Sequence, residues 1–241
     1  MRTLMRQKKG QFIIIAVLII AIMIVSIGAL LQRAVVYYKH EPWEEYLTLI
    51  EGVELNSQRL MEISLVNFTQ TSLSESTSQN ILQENLNNWT IDLRHIYPGR
   101  GVIAGYTLEN GTAYNYTLGL ARSWNNQTSL STAKATFELD INSIGLSGYE
   151  FTTESLLTLE ILNATGNEIN VVVKGLDQQT ITNLEEENFK VEDRTITNLL
   201  AQYDPEHVLV YTIVCDSSTE PPFNPNVTVW DHNGIRVVAS M

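Results

Sequence analysis

Residues Phe12 to Leu31 read FIIIAVLIIAIMIVSIGALL, twenty positions without a single charge. At ~1.5 Å of rise per residue such a helix is roughly 30 Å long, the thickness of a bilayer's hydrocarbon core. The remainder of the 241 residues is polar, acidic and rich in Asn-X-Thr. The run therefore predicts a single transmembrane helix over 12–31, with one large domain in water.

The flanks give this segment a direction. Arg2, Arg6, Lys8 and Lys9 precede it, and the first acidic residue is Glu41. Basic flanks stay on the cytoplasmic side, so the tip at 1–11 is expected inside and the long C-terminal part outside. Residues 1–40 carry a net charge of +6 and residues 41–241 one of −18, within the total of −12. A cleaved secretory signal has a shorter apolar region, ~7–15 residues, ending in small side chains. Here the run continues into Gln32-Arg33-Ala34-Val35-Val36, which favours a retained anchor.

Seven Asn-X-Thr triplets lie beyond the run, at Asn67, Asn88, Asn110, Asn115, Asn126, Asn163 and Asn226. None has Pro in the middle and none uses Ser. Such triplets mark surface segments on the non-cytoplasmic side, which is the side the basic flanks also assign to this part of the chain. Cys215 is the only cysteine, so no intrachain disulfide forms. The absence of disulfides fits an archaeal or bacterial cell surface better than a eukaryotic one, and the acidity and sequons tilt the reading to archaea. Cys215 sits within Val-Leu-Val-Tyr-Thr-Ile-Val-Cys and reads as a packed, inert thiol.

Beyond the anchor, residues 32–99 read as a helical juxtamembrane stalk. Pro42 marks a helix start or kink. Trp43, Tyr46, Leu47, Ile50 and Val53 form one helical stripe near the membrane, and Leu82, Leu86, Trp89, Leu93 and Ile96 form another, which reads as a core-facing helical face. Thr69 to Ser78 is a Ser/Thr-rich loop, and Tyr97-Pro98-Gly99 stops the second helix. Residues 100–241 read as an extracytoplasmic β-rich domain. Phe137, Leu139 and Ile141 alternate with polar residues, as do Leu157, Leu159 and Ile161. Val171–Val173 and Val208–Val214 read as strands buried on both faces. Asn110-Gly111 and Asn233-Gly234 are hairpin signals, and Thr180 to Asp193 is an acidic loop or edge element. The predicted fold is α+β: the N-terminal transmembrane helix, the helical stalk, then an antiparallel β-sandwich-like domain.

The chain contains no Gly-X-Ser-X-Gly, no phosphate-cradling glycine loop and no His-Glu-X-X-His. His40, His95, His207 and His232 are scattered, and Asp-His-Asn-Gly around His232 is turn chemistry. Glu185, Glu186, Glu187, Glu192 and Asp193 lack the alternating spacing of a calcium loop and read as a solvated acidic face. No catalytic, cofactor-binding or metal residues are assigned, and no cofactor. Trp124, just before Asn125 and Asn126, reads as a packing residue or as a contact for sugar or protein. An acidic outer part excludes nucleic acid as a partner.

The junction Arg6-Gln7-Lys8-Lys9-Gly10-Gln11-Phe12-Ile13 resembles the class III signal of archaeal type IV pilin-like proteins. The resemblance implies peptidase cleavage after Gly10 and a mature chain beginning at Gln11. It also implies a filament with a core of apolar helices and β-rich heads outside. Ile15 stands where many pilins carry Glu, so the charge pairing that seats those subunits is absent from this pattern.

Two functions follow as expectations. The first is a non-enzymatic, membrane-anchored and N-glycosylated cell-surface protein with a structural, adhesive or binding role. Its partners are the lipid bilayer and surface proteins or glycans. The second is a pilin-like subunit. Ser26, Gly28 and Ala29 are small enough to let such helices approach and self-associate.

Overall fold

The structure is a computed structural model that describes residues 17–32, 43–71, 80–111, 114–205, 207–216 and 225–241. It divides into two compact units, Met1–Glu51 and Gly52–Met241. The first unit holds helix α1 (17–32) and the opening turns of α2 (Trp43–Gln70). Every residue of α1 is exposed.

The expected transmembrane helix is not found: among the described residues no helix is long and apolar enough to cross a membrane. α1 has 16 described residues, about 24 Å of helix against ~30 Å of hydrocarbon. Phe12 to Ala16 of the apolar run, the basic tip, Gly10 and Gln11 lie outside the described residues, as do His40 and Pro42.

The second unit contains the rest of α2, α3 (Ile81–Ile96) and ten strands. These are β1 (Val102–Leu108), β2 (Leu120–Ser123), β3 (Thr128–Ile141), β4 (Leu146–Thr165) and β5 (Glu168–Lys174). After them come β6 (Phe189–Val191), β7 (Ile196–Tyr203), β8 (Leu209–Cys215), β9 (Asn226–Trp230) and β10 (Arg236–Ser240). A seven-stranded sheet runs in the order β1-β3-β4-β5-β8-β7, with β2 continuing the β1 edge along β3. A three-stranded sheet runs β10-β9-β6. All pairings are antiparallel.

The odd-numbered residues of β3 and β4 face the core, because a strand alternates its side chains with period two. Phe137, Leu139, Ile141, Leu157, Leu159 and Ile161 are all buried, on the face their alternation assigns. β8 differs from its sequence reading. Leu209, Tyr211, Ile213 and Cys215 are buried, while Val210 and Val214 are only half-buried on the outer face. That outer face carries Thr136, Thr152 and the Lys134–Glu154 ion pair at 3.4 Å, so it is a wet face with scattered valines.

The stalk and sandwich also need correction. Met61, Leu65 and Phe68 of α2 and Leu82 and Leu86 of α3 share one core with the large sheet. Val227, Val229, Val237 and Ala239 of the small sheet belong to the same core. The inner face of the large sheet is thus covered partly by two helices and partly by three short strands, not by a second full sheet. Amphipathic helices of this kind cannot stand free, because an apolar stripe must be buried against another element. Ser64 holds α3 through its Oγ, which accepts from Asn85 Nδ2 at 2.9 Å. Tyr149 donates to Glu54 at 2.7 Å near the start of β4. Tyr97, whose N–H donates to Leu93 O, ends α3 where the Pro-Gly signal places the stop, but Ile96 is exposed and does not join the core stripe.

Candidate functional site

The seven sequon asparagines fall on different elements. Asn67 lies on α2, Asn88 on α3, Asn110 and Asn115 in the loop between β1 and β2, and Asn126 in the β2–β3 turn. Asn163 lies near the end of β4 and Asn226 opens β9. Six are exposed; Asn226 is half-buried and donates its Nδ2 to Glu192. The threonines separate them further. Thr117, Thr128 and Thr165 are exposed beside Asn115, Asn126 and Asn163. Thr69 and Thr228, the partners of Asn67 and Asn226, are buried.

Trp124 is half-buried, not a free surface contact. Its indole Nε1–H donates to Ser131 Oγ at 2.9 Å, and the Ser131 hydroxyl donates to Arg236 O at 2.6 Å. Two guanidiniums sit over this one ring, Arg122 at 5.1 Å and Arg236 at 5.2 Å from its centroid. Arg122 also lies 4.8 Å from the Phe68 ring, and Arg236 lies 6.0 Å from that of Trp230. These are cation–π separations. Arg122 donates to Phe68 O and Thr71 O at 3.4 and 3.5 Å, so it also serves the carbonyl end of α2, where a cation is favoured. Burial, and then the positive charge of Arg236, lower the pKa of Arg122. Among the described residues no carboxylate is paired with either arginine. The sequence reading noticed the tryptophan and passed over the arginines. Their signal was Arg122-Ser123-Trp124, which places both side chains on one side of a strand, and the two ends of the β9–β10 hairpin, where Arg236 faces Trp230.

The Asp231–Ile235 turn that closes this hairpin is built around a carboxylate. Asp231 Oδ1 accepts from Asn233 N at 3.0 Å and Ile235 N at 2.7 Å. The flanking backbone closes with Asp231 N donating to Ile235 O. Burial nevertheless raises the pKa of Asp231, and the charge of Glu62 adds to the rise. A carboxyl with a raised folded pKa contributes most below its ordinary value of ~3.9, and that contribution is lost as pH rises through the folded pKa. Asp231→Asn keeps the acceptor without the charge. It is expected to match or exceed the wild-type stability at pH 7, with the advantage shrinking towards pH 4. Asp231→Ala strands two backbone donors and is expected to lose about 1–3 kcal/mol. Urea unfolding of the three proteins at both pH values checks this.

The remaining candidates are spread out. His232 is exposed, with Nε2 3.3 Å from Thr182 O, and its role is that of a turn residue. In the acidic stretch, Glu185 and Asn188 cap one short turn reciprocally, while Phe189 and Val191 are buried in the edge strand β6. Among the described residues no group of three or more His, Cys, Asp or Glu is placed to hold a metal ion. Cys215 is buried, and desolvation raises its pKa, as an inert thiol requires. A cavity of about 240 Å³ is lined by Arg59, Glu62, Ile63, Val66 and Asn233, between the outer side of α2 and the Asp231 turn.

No family model, curated protein or solved structure matches the chain.

Proposed function

We propose that the chain is a non-catalytic cell-surface protein whose folded unit, Gly52–Met241, is displayed outside the cell, N-glycosylated and held at the membrane by its apolar N-terminal segment. The observation that carries this reading is α1, apolar at almost every position and exposed all round. A helix hydrophobic on every side belongs in an apolar surrounding, and the four basic residues before it suit the cytoplasmic face of a lipid bilayer. The exposed sequons support the outward placement of the folded unit. Its role there is structural, adhesive or binding, towards surface proteins or glycans.

Glycopeptide mass spectrometry of the protein from its own membrane fraction tests the reading. Glycans are expected first on Asn115, Asn126 and Asn163, whose threonines are on the surface, and least on Asn67 and Asn226. Seven unmodified asparagines would count against it.

A second reading rests on Lys8-Lys9-Gly10-Gln11. In it the segment is processed after Gly10, and copies of the apolar helix pack together in a pilin-like filament. The same experiment separates the two: a native N-terminus at Gln11 favours the filament subunit, and an intact Lys8-Lys9 peptide excludes it.

A further inference from the structure

Arg236 is a poorly compensated cation among the described residues. Its Nε is buried without a hydrogen-bond acceptor, no carboxylate is paired with it among the described residues, and its guanidinium lies over Trp124 with Trp230 beside it. A second cation, Arg122, shares the Trp124 ring. In residues 41–241 acids outnumber Lys and Arg by three to one, 27 against nine, so two like charges gathered on one ring with no counter-ion among the described residues run against the composition. Ordinary packing explains each partly. Arg122 serves the end of α2, and both guanidiniums lie over the Trp124 ring. Neither role neutralises the pair, and burying unneutralised charge is costly.

Two guanidiniums already lie over the Trp124 ring, so it is a poor platform for stacking a neutral sugar. What it offers is positive charge with planar N–H donors in a half-buried setting, the arrangement that best suits a carboxylate. The backbone around it is fixed. Arg236 N donates to Thr69 Oγ1 at 3.2 Å, Arg236 O accepts from Ser131, and Trp124 is held by Ser131. The backbone of Arg236 and the ring beneath its guanidinium are therefore fixed, which limits the further ordering that binding costs.

We infer that the Arg236–Trp124–Arg122 cluster, bordered by Trp230, is a binding site for the carboxylate group of an acidic ligand such as a uronic acid. Arg236 is the direct contact and Arg122 supplies the second charge. The inference stands apart from the function proposed above and holds or fails whichever way the N-terminus is attached.

Two of the four tryptophans sit in the cluster, so intrinsic fluorescence reports on it. The full chain in detergent is titrated at constant ionic strength with sodium glucuronate and with glucose, which has the same ring without the carboxylate. The expected result is a saturable response to glucuronate and none to glucose. Arg236→Gln is expected to weaken glucuronate at least ~10-fold, Arg122→Gln several-fold, and Arg236→Lys less than Arg236→Gln. Circular dichroism verifies that each variant is folded. Where a variant does not fold, the glucuronate–glucose contrast in the wild type decides. No saturable response, equal responses to the two sugars, or unchanged affinity in folded Arg236→Gln would overturn the assignment.

Discussion

Gly119→Ala is expected to lower stability by about 2–5 kcal/mol, a large share of what holds a domain together. Gly119 has φ +77°, the left-handed region that side chains rarely adopt. A Cβ there would stand 2.8 Å from Lys134 O and 2.9 Å from Leu82 Cδ2. The first of these is backbone and cannot rotate away. Gly119 N donates to Glu109 O and Gly119 O accepts from Lys134 N at 2.7 Å, so the residue ties the β1–β2 loop to β3 while α3 presses on it. Conformational strain of ~1–2 kcal/mol and overpacking of ~1–3 kcal/mol act together. Typical domains hold only 5–15 kcal/mol in total. Urea unfolding followed by circular dichroism measures the loss. Gly111, also at positive φ but with open space around its Cβ position, is the control: Gly111→Ala is expected to cost only the ~1–2 kcal/mol of strain.

Phe137→Ala is expected to be of comparable size, about 3–5 kcal/mol. The side chain is 1% exposed at the middle of β3. It stacks on Phe151 across the β3–β4 pair, at 5.1 Å and 14°, and meets Trp89 of α3 edge-on at 5.6 Å and 79°. Its removal leaves a cavity where helix and sheet join, and the long paired strands on either side leave little room to collapse into it. Phe137→Leu is expected to recover more than half of the loss, because most of the volume is retained. Thermal unfolding of both variants against wild type gives the comparison.

The strands were legible because Phe137, Leu139 and Ile141 obey a strict period of two, which only a half-buried strand satisfies. The core face of α3 was legible from the spacing of Leu82, Leu86, Trp89 and Leu93, but the core face of α2 beyond Val53 was not. α2 buries Ser57, Ser64 and Thr69 beside Met61, Leu65 and Phe68. Each hydroxyl is satisfied within the helix by donating to Glu54 O, Leu60 O and Val66 O respectively. Small hydroxyl residues that bond their own backbone can be buried at little cost, yet they read as surface and hide the apolar stripe. Asn85 on α3, whose amide donates to Ser64, is masked in the same way. β7, which carried no sequence signal of its own, forms the sheet's edge: Leu199 packs against the core, while Leu200 is 43% and Tyr203 64% exposed. The arginine pair is invisible to periodicity, because its two halves are joined only when β10 docks beside β3.

Protease shaving of intact cells that make this protein, followed by mass spectrometry of the released peptides, tests the outward display of the folded unit most directly. The expected result is release of peptides from Gly52–Met241 while the cytoplasmic contents remain intact. Release of those peptides only after the cells are broken would contradict the proposed placement.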